Sequence, residues 1–347
     1  MIYILIAFGI LTLYGIRYNK GGYYDDYISK TQCNAIKGIF ILVVFIRHSL
    51  QYINQVGYNY NSWGDSFFKA VDFYWKHLLV AMFLFYSGYG VMESIKHKGD
   101  IYIRSIPKKR ILTTLLNFDV AVLCYIVLDI IISRDITFQQ ALLSMFAWDS
   151  VGNSNWYIFC ILLCYLATYL SFYIAKKLGL SSSFAVWNIC TILFLMLIGM
   201  SFVKPFYWYC TMIVYGAGCL FSYYQKDLEK YVQRHYYSIL VATAIVFGLL
   251  YYAPLNYMTA RDNITAIVFA FLVVIITMKI KIGNKWLLWM GINLFPLYIY
   301  QRLPMIALTK YDEGIFVLNY PSTFMIICFV ISIIITYFYK YWQIKLR

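Results

Sequence analysis

Charge is scarce in this chain of 347 residues: Asp, Glu, Lys and Arg make up 13%, where a soluble domain carries about a quarter. Acidic residues are scarcer still, 15 against 29 basic, and there are only 4 His. With 62% of residues hydrophobic, too little polar surface remains to cover one or two soluble domains, so an ordinary water-soluble enzyme is excluded. The 8 Cys form no CxxC pair, and no Cys or His spacing suits zinc, which removes a metal from the reading. Cys160 and Cys164 lie about one turn apart in an apolar run and read as small core residues rather than a redox pair. Nowhere do apolar residues alternate as barrel strands require, and there is no internal repeat, low-complexity tract or linker long enough for a soluble domain. A net charge of +14 would suggest nucleic acid in a soluble protein; here the placement of the cations carries the meaning, and no nucleic-acid partner is expected.

What is present is apolar length and aromatic rings. Crossing about 30 Å of hydrocarbon takes about 20 largely apolar helical residues. Runs of that kind fall near 1–16, 36–53, 78–94, 111–132, 155–175, 184–203, 206–224, 237–253, 264–280, 286–308 and 321–340. Because lipid offers the backbone no hydrogen-bond partners, these runs predict helices. The fold class is all-α, a polytopic integral membrane protein with ten to eleven transmembrane helices and a single domain over 1–347. The run 1–16 lacks a basic start and a small-residue cleavage site and is expected to be a retained span. The 36 Tyr and 26 Phe suit aromatic belts at the two headgroup zones.

The loops between these runs alternate in charge. Arg17, Lys20, Lys30 and Lys37 begin one set, which continues through the cluster Lys96 to Arg110, then Lys176, Lys177, Lys226, Lys230, Arg234, Lys279, Lys281, Lys285 and the C-terminal cations, 21 in all. The other set holds six: Lys69, Lys76, Arg134, Lys204, Arg261 and Lys310. By the positive-inside rule the first set is cytosolic, which places the N-terminus outside and the C-terminus in the cytoplasm of a cell membrane protein.

Ionisable groups inside spans are costly and mark function by default. The densest group lies in "NAIKGIFILVVFIRHSLQY", where Lys37 stands at the cytosolic edge and Arg47, His48, Gln51 and Tyr52 lie toward the outer end. Eleven residues separate Lys37 from His48, about three turns, so the two share a helix face roughly 16 Å apart along the axis. Histidine titrates nearest neutrality and suits a general base, so His48 is the candidate catalytic residue, against the plainer alternative of a histidine bonded across helices. Arg47 points about 100° away and could simply reach outward. Asp119, Asp129, Asn188 and the Gln301–Arg302 pair after Pro296 read as helix-packing groups. His77, His97 and His235 read as solvated or interfacial, and Glu93 as a partner for nearby lysines.

These segments also carry a likeness. "KGIFILVVFIRHS" resembles the opening motif of the acyltransferase-3 family of membrane acyltransferases, a basic residue and a His with ten positions between them, although the family more often has Arg where Lys37 stands. "LLVAMFLFYSGYGVMES" is similar to that family's aromatic run into Ser87–Gly88, and "IRSIPKKRILTTLL" to its loop-to-helix entry with Arg110. "NSNWYIFCILLCYL" resembles its Trp-aromatic span at Trp156–Tyr157, and "WLLWMGINLFPLYIYQRLPM" its terminal run of Trp, Gly, Tyr and a polar residue. The family commonly has His at the position of Gln301, so no catalytic role is carried onto that residue. The motifs occupy residues 37 to about 305 in the expected order, which makes 36–340 the family-like core and 1–16 an additional span.

The resemblance implies transfer of an acyl group, usually acetyl, from cytosolic acyl-CoA to a hydroxyl of a cell-surface polysaccharide or lipid-linked glycan. Acyl-CoA would be a co-substrate, with no bound cofactor. Lys37, Arg47, Arg110, Trp156 and Tyr298 then become candidates for binding CoA or substrate, with His48 as the base. The sequence contains no Ser nucleophile motif and no appended esterase-like domain. A transporter or flippase for a small anion or lipid-linked sugar is the rival reading, but there is no inverted repeat and no matched pair of Gly/Pro-broken spans. A glycan polymerase would want a large outer loop, and the longest here is only about 54–77.

Overall fold

The computed structural model describes residues 1–75, 78–252 and 258–346; Lys76, His77 and Arg347 lie outside them. The described chain is almost wholly helical, with one short strand pair, Ile16–Tyr18 antiparallel to Ile280–Ile282. Seven helices are long and apolar enough to cross a membrane: Lys30–Gln55, Leu78–Lys98, Asp100–Ile131, Trp156–Lys177, Ser182–Ser201, Thr259–Lys279 and Pro321–Tyr339. Counting the bent pair Gln225–Arg234 and Tyr236–Tyr252 as one span makes eight.

The apolar runs suggested ten to eleven, and the difference is a matter of continuity. Ile2–Leu13 has 12 residues, about 18 Å of helix, well short of the hydrocarbon thickness. The run 206–224 opens with the 3-10 turn Phe206–Trp208 and leaves only 11 residues in Ile213–Tyr223. The run 237–253 becomes a 17-residue helix, Tyr236–Tyr252, that meets its predecessor at 101°. The run 286–308 is broken at Asn293 and Gln301 into Lys285–Ile292, Leu294–Tyr300 and Arg302–Tyr311. Pro296 sits near the start of the middle piece, where the missing N–H has no partner to lose. Hydropathy sums side chains and cannot register where the backbone ladder is interrupted.

The helix that carries His48 is the centre of the bundle. Its start is capped by Ser29, whose Oγ accepts from the Gln32 N–H at 3.3 Å, and 78% of its apolar stretch is buried, against 28% for Pro321–Tyr339. Two glycine-mediated crossings clamp this centre. A Cβ at Gly38 would overlap the Leu287 carbonyl, and one at Gly291 the Asn34 carbonyl, so Lys30–Gln55 and Lys285–Ile292 touch backbone to backbone. Gly88 against Tyr215 and Gly218 against Phe85 do the same for Leu78–Lys98 and Ile213–Tyr223.

The loops gather into two ends. At one, Lys281 pairs with Asp26, Lys176 with Asp100, and Lys96 with Glu93 and the Ser222 carbonyl, while Tyr27 donates to Glu229 at 2.7 Å. At the other, Lys204 donates to the Trp148 carbonyl at 2.5 Å between the rings of Trp148 and Trp208, and Val56 packs under Gly314. Burial among those rings pushes the Lys204 ammonium below its usual pKa. Apart from Lys96–Glu93, which lies within one helix, each of these contacts joins segments that carry the same side of the charge alternation.

Candidate active site

His48 is 7% exposed, three turns from the start of the closely clamped stretch of its helix. Its Nε2 lies 3.3 Å from the Ser154 hydroxyl, a group 106 residues away in the chain. Arg302 completes the group: its Nη1 donates to Ser154 Oγ at 3.3 Å and its Nε to the Tyr52 hydroxyl at 3.1 Å, with the guanidinium 5.4 Å from the Tyr52 ring. Tyr125 braces the same wall by donating to the Ile299 carbonyl at 2.7 Å. Among the described residues no carboxylate pairs with Arg302 or with His48. A partly buried cation held only by hydroxyls keeps its attraction for an anion, including one that forms during a reaction.

Polar capacity is left over beside His48. His48 Nδ1 and the hydroxyl of Tyr298 are buried without a hydrogen bond of normal geometry among the described residues, although Tyr298 faces Ser154. Both atoms are therefore available to a further hydrogen-bonding group.

A second charged group lies at the other end of the same helix face. Arg110 donates from Nε to the Tyr102 hydroxyl at 2.9 Å and sits 5.8 Å and 6.0 Å from the rings of Tyr102 and Tyr165. It stands in a π-helical stretch of its helix, Pro107–Leu112, where the turn is wider than in an α-helix. Lys37 lies close enough to feel its charge, and neither cation has an acidic partner among the described residues.

An aromatic column joins the two ends. From Arg110 it passes to Tyr165, whose hydroxyl is 3.1 Å from Ser87 Oγ, and along the same helix to Tyr157. Tyr157 meets Tyr298 with ring centroids 5.2 Å apart, and Tyr298 meets His48 at 6.1 Å. Tyr298 therefore stands in the candidate site beside His48. Trp156 forms a flanking wall, edge-on to Tyr157 at 6.3 Å and Tyr207 at 6.2 Å. The charge of Arg47 reaches both Cys210 and His48, and the side chain is engaged with neighbours of its own. Gln301 is 1% exposed and donates back to the Tyr298 carbonyl at 3.1 Å, a structural bond.

Of the remaining intramembrane groups, Asp119 keeps a buried carboxylate oxygen without a hydrogen-bond partner among the described residues, and others are tied locally. Arg134 reaches Asp129 at 3.5 Å, and Asn188 donates to Ser171 at 3.4 Å. The cationic cluster 96–110 does not act as one unit, since Lys96 is held by Glu93 and only Arg110 turns inward. All 8 Cys are free, with Cys160 and Cys164 buried as expected.

Sequence reasoning missed Ser154 and undervalued Arg302. Ser154 stands inside the stretch "NSNWYIFCILLCYL", where the resemblance pointed to Trp156 and Tyr157 instead, and a loop brings it to His48. Arg302 did carry a signal, an Arg inside an apolar run, and the rule on intramembrane charge singles it out.

With this geometry in hand, the comparison with known families is informative. The acyltransferase-3 family, described as an acyltransferase domain, matches residues 31–341, nearly the whole chain, and the chain belongs to that family. No curated protein and no solved structure matches it. Family and apolar helices together identify a multi-pass membrane protein of the acyltransferase class.

Proposed function

We propose, with membership of the acyltransferase-3 family as the premise, that this protein moves an acetyl group from cytosolic acetyl-CoA to a hydroxyl of a cell-surface polysaccharide or its lipid-linked precursor. The observation that carries the reading is the pairing of two cationic ends without acidic partners, Lys37–Arg110 and Arg302, on either side of one buried histidine and joined by tyrosines. Acetyl-CoA is a polyphosphate with a long uncharged arm. Its phosphates suit Lys37 and the planar fork of Arg110. The roughly 16 Å from Lys37 to His48 along the helix is comparable with the reach of the extended pantetheine arm. The tyrosine column is apolar enough for that arm and offers hydroxyls to its amides.

At the inner end the thioester carbonyl would lie beside His48. His48 is the base that takes a hydroxyl proton, and Arg302 stabilises the oxyanion that develops as the carbonyl becomes tetrahedral. Arg47 extends the positive field from its own face. The cation alternation supports an N-terminus outside and a C-terminus in the cytoplasm, so that the Lys37–Arg110 end faces the donor pool.

The test uses inverted membrane vesicles and purified protein supplied with acetyl-labelled CoA thioester. The wild type transfers label to envelope material or releases it slowly to water, and His48→Gln, which keeps a hydrogen bond and loses the base, does neither. Vesicles that take up a labelled anion while leaving acetyl-CoA untouched would instead establish the transporter reading.

A further inference from the structure

We infer that Ser154 is a nucleophile that carries the acyl group between donor and acceptor, so that the reaction runs through an acyl-serine; this rests on the acetyl-CoA reading above. Three observations support it. First, Ser154 Oγ, on a residue 2% exposed, lies between a base and a cation, 3.3 Å from His48 Nε2 and 3.3 Å from Arg302 Nη1. That is the relation an activated hydroxyl needs: a group to receive its proton and a positive charge to steady its oxygen.

Second, the loop that delivers Ser154 is built to hold one conformation. Asn155 Nδ2 donates to the carbonyls of Ala147 at 3.0 Å and Asp149 at 2.8 Å. Asn153 Oδ1 accepts from the Val151 N–H at 3.2 Å, and Ser150 Oγ donates to the Asn153 carbonyl at 2.7 Å. Gly152 takes φ +96°, and a Cβ there would press on Ile306 and Arg134. A serine needed only to fill space would not call for a loop fixed at four consecutive residues; a nucleophile that must meet a carbonyl within a fraction of an ångström does.

Third, polar capacity is left over around Ser154: the Tyr298 hydroxyl faces it without a hydrogen bond of normal geometry, and Asn153 Nδ2, in the same loop, has no hydrogen-bond partner among the described residues. Ser154 also stands two residues ahead of Trp156, the first residue of a 22-residue helix whose free N–H groups favour developing negative charge.

The chemistry balances in two halves. Ser154 Oγ attacks the thioester carbonyl as His48 Nε2 takes the hydroxyl proton; the C–S bond breaks, and His48 passes that proton to the departing thiolate, leaving acyl-Ser154 and CoA. His48 then takes a proton from the acceptor hydroxyl, whose oxygen attacks the ester carbonyl; the Oγ–C bond breaks and Ser154 recovers a proton from His48. The relay explains how a single narrow column serves a donor from one end and an acceptor from the other: CoA leaves before the acceptor arrives.

The experiment is isotope exchange on the purified full-length protein, with acetyl-CoA and labelled CoA and no acceptor. A covalent relay passes label from CoA into acetyl-CoA, and acid-quenched protein shows an acetyl adduct on the peptide containing Ser154. Ser154→Ala is expected to lower exchange and transfer together by at least about 100-fold. Ser154→Cys, which changes only the nucleophilic atom, is expected to accumulate a hydroxylamine-labile thioester, and this holds even if the alanine variant fails to insert. Transfer to the acceptors in native vesicles without any exchange would overturn the relay and leave the acetyl-CoA reading standing, as would a Ser154→Ala protein with transfer near the wild-type rate. A wild type that neither exchanges nor consumes acetyl-CoA would overturn both.

Discussion

Replacing Arg110 with alanine removes the one cation of the 96–110 cluster that turns into the bundle, and the structure sets what should follow. Its Nε bonds Tyr102 at 2.9 Å, its guanidinium lies 5.8 Å and 6.0 Å from two tyrosine rings, and no carboxylate neutralises it among the described residues. If the guanidinium holds a CoA phosphate, the change deletes a charge-assisted hydrogen bond of about 1.5–3 kcal/mol. At about 1.4 kcal/mol per decade, the Michaelis constant for acetyl-CoA rises by roughly 10- to 100-fold. The kcat at saturating donor changes little, because His48, Ser154 and Arg302 are untouched. Arg110→Lys keeps the charge and loses the planar fork, so its Michaelis constant falls between the two. The lost ring contacts cost about 0.5–1 kcal/mol each, so thermal unfolding in detergent is followed alongside. The assay is thiol release from acetyl-CoA over a range of donor concentrations at two ionic strengths, with donor binding weaker at the higher salt. An alanine variant with unchanged donor affinity but damaged acceptor use would refute the assignment of this end to CoA and leave the cations as a topology signal alone.

Three further outcomes are expected. Arg302→Gln, which takes the cation from between Ser154 and Tyr52, lowers kcat by about 10²–10³ while the Michaelis constant for acetyl-CoA stays near wild type; equal effects on both constants would argue for a structural role. Gly38→Ala drives a methyl into the Leu287 carbonyl and destabilises the fold by about 1–3 kcal/mol or more, seen as a lower unfolding temperature, whereas Gly90→Ala, with nothing within 4 Å, is neutral or slightly stabilising. Reporter fusions at Arg17 and residue 140 should read cytosolic and external respectively; the reverse at residue 140 would invert the donor side.

The sequence alone determined the solvent, the helical class and the family, and it named Lys37 and His48 as candidates. Those follow from local quantities: how much charge there is, how long the apolar runs are, and how far apart Lys37 and His48 stand on a helix of fixed pitch. The ordered motifs reached the family for the same reason, since each is a short stretch whose residues act where they stand. Tertiary structure decided the rest. Seven unbroken helices replaced the longer list of runs because breaks at Asn293 and Gln301 and a bend at His235 depend on what the backbone packs against, while hydropathy sums only side chains. Arg110 meets Tyr102 and Tyr165 from a π-helical stretch, a change of winding with no signature in residue type. Ser154 and Arg302 reached the His48 group across 106 and 254 positions, in a bundle whose helices touch backbone to backbone at Gly38, Gly88, Gly218 and Gly291. A site assembled from single residues on separate helices has no spacing to read, and only the packing of those helices places it.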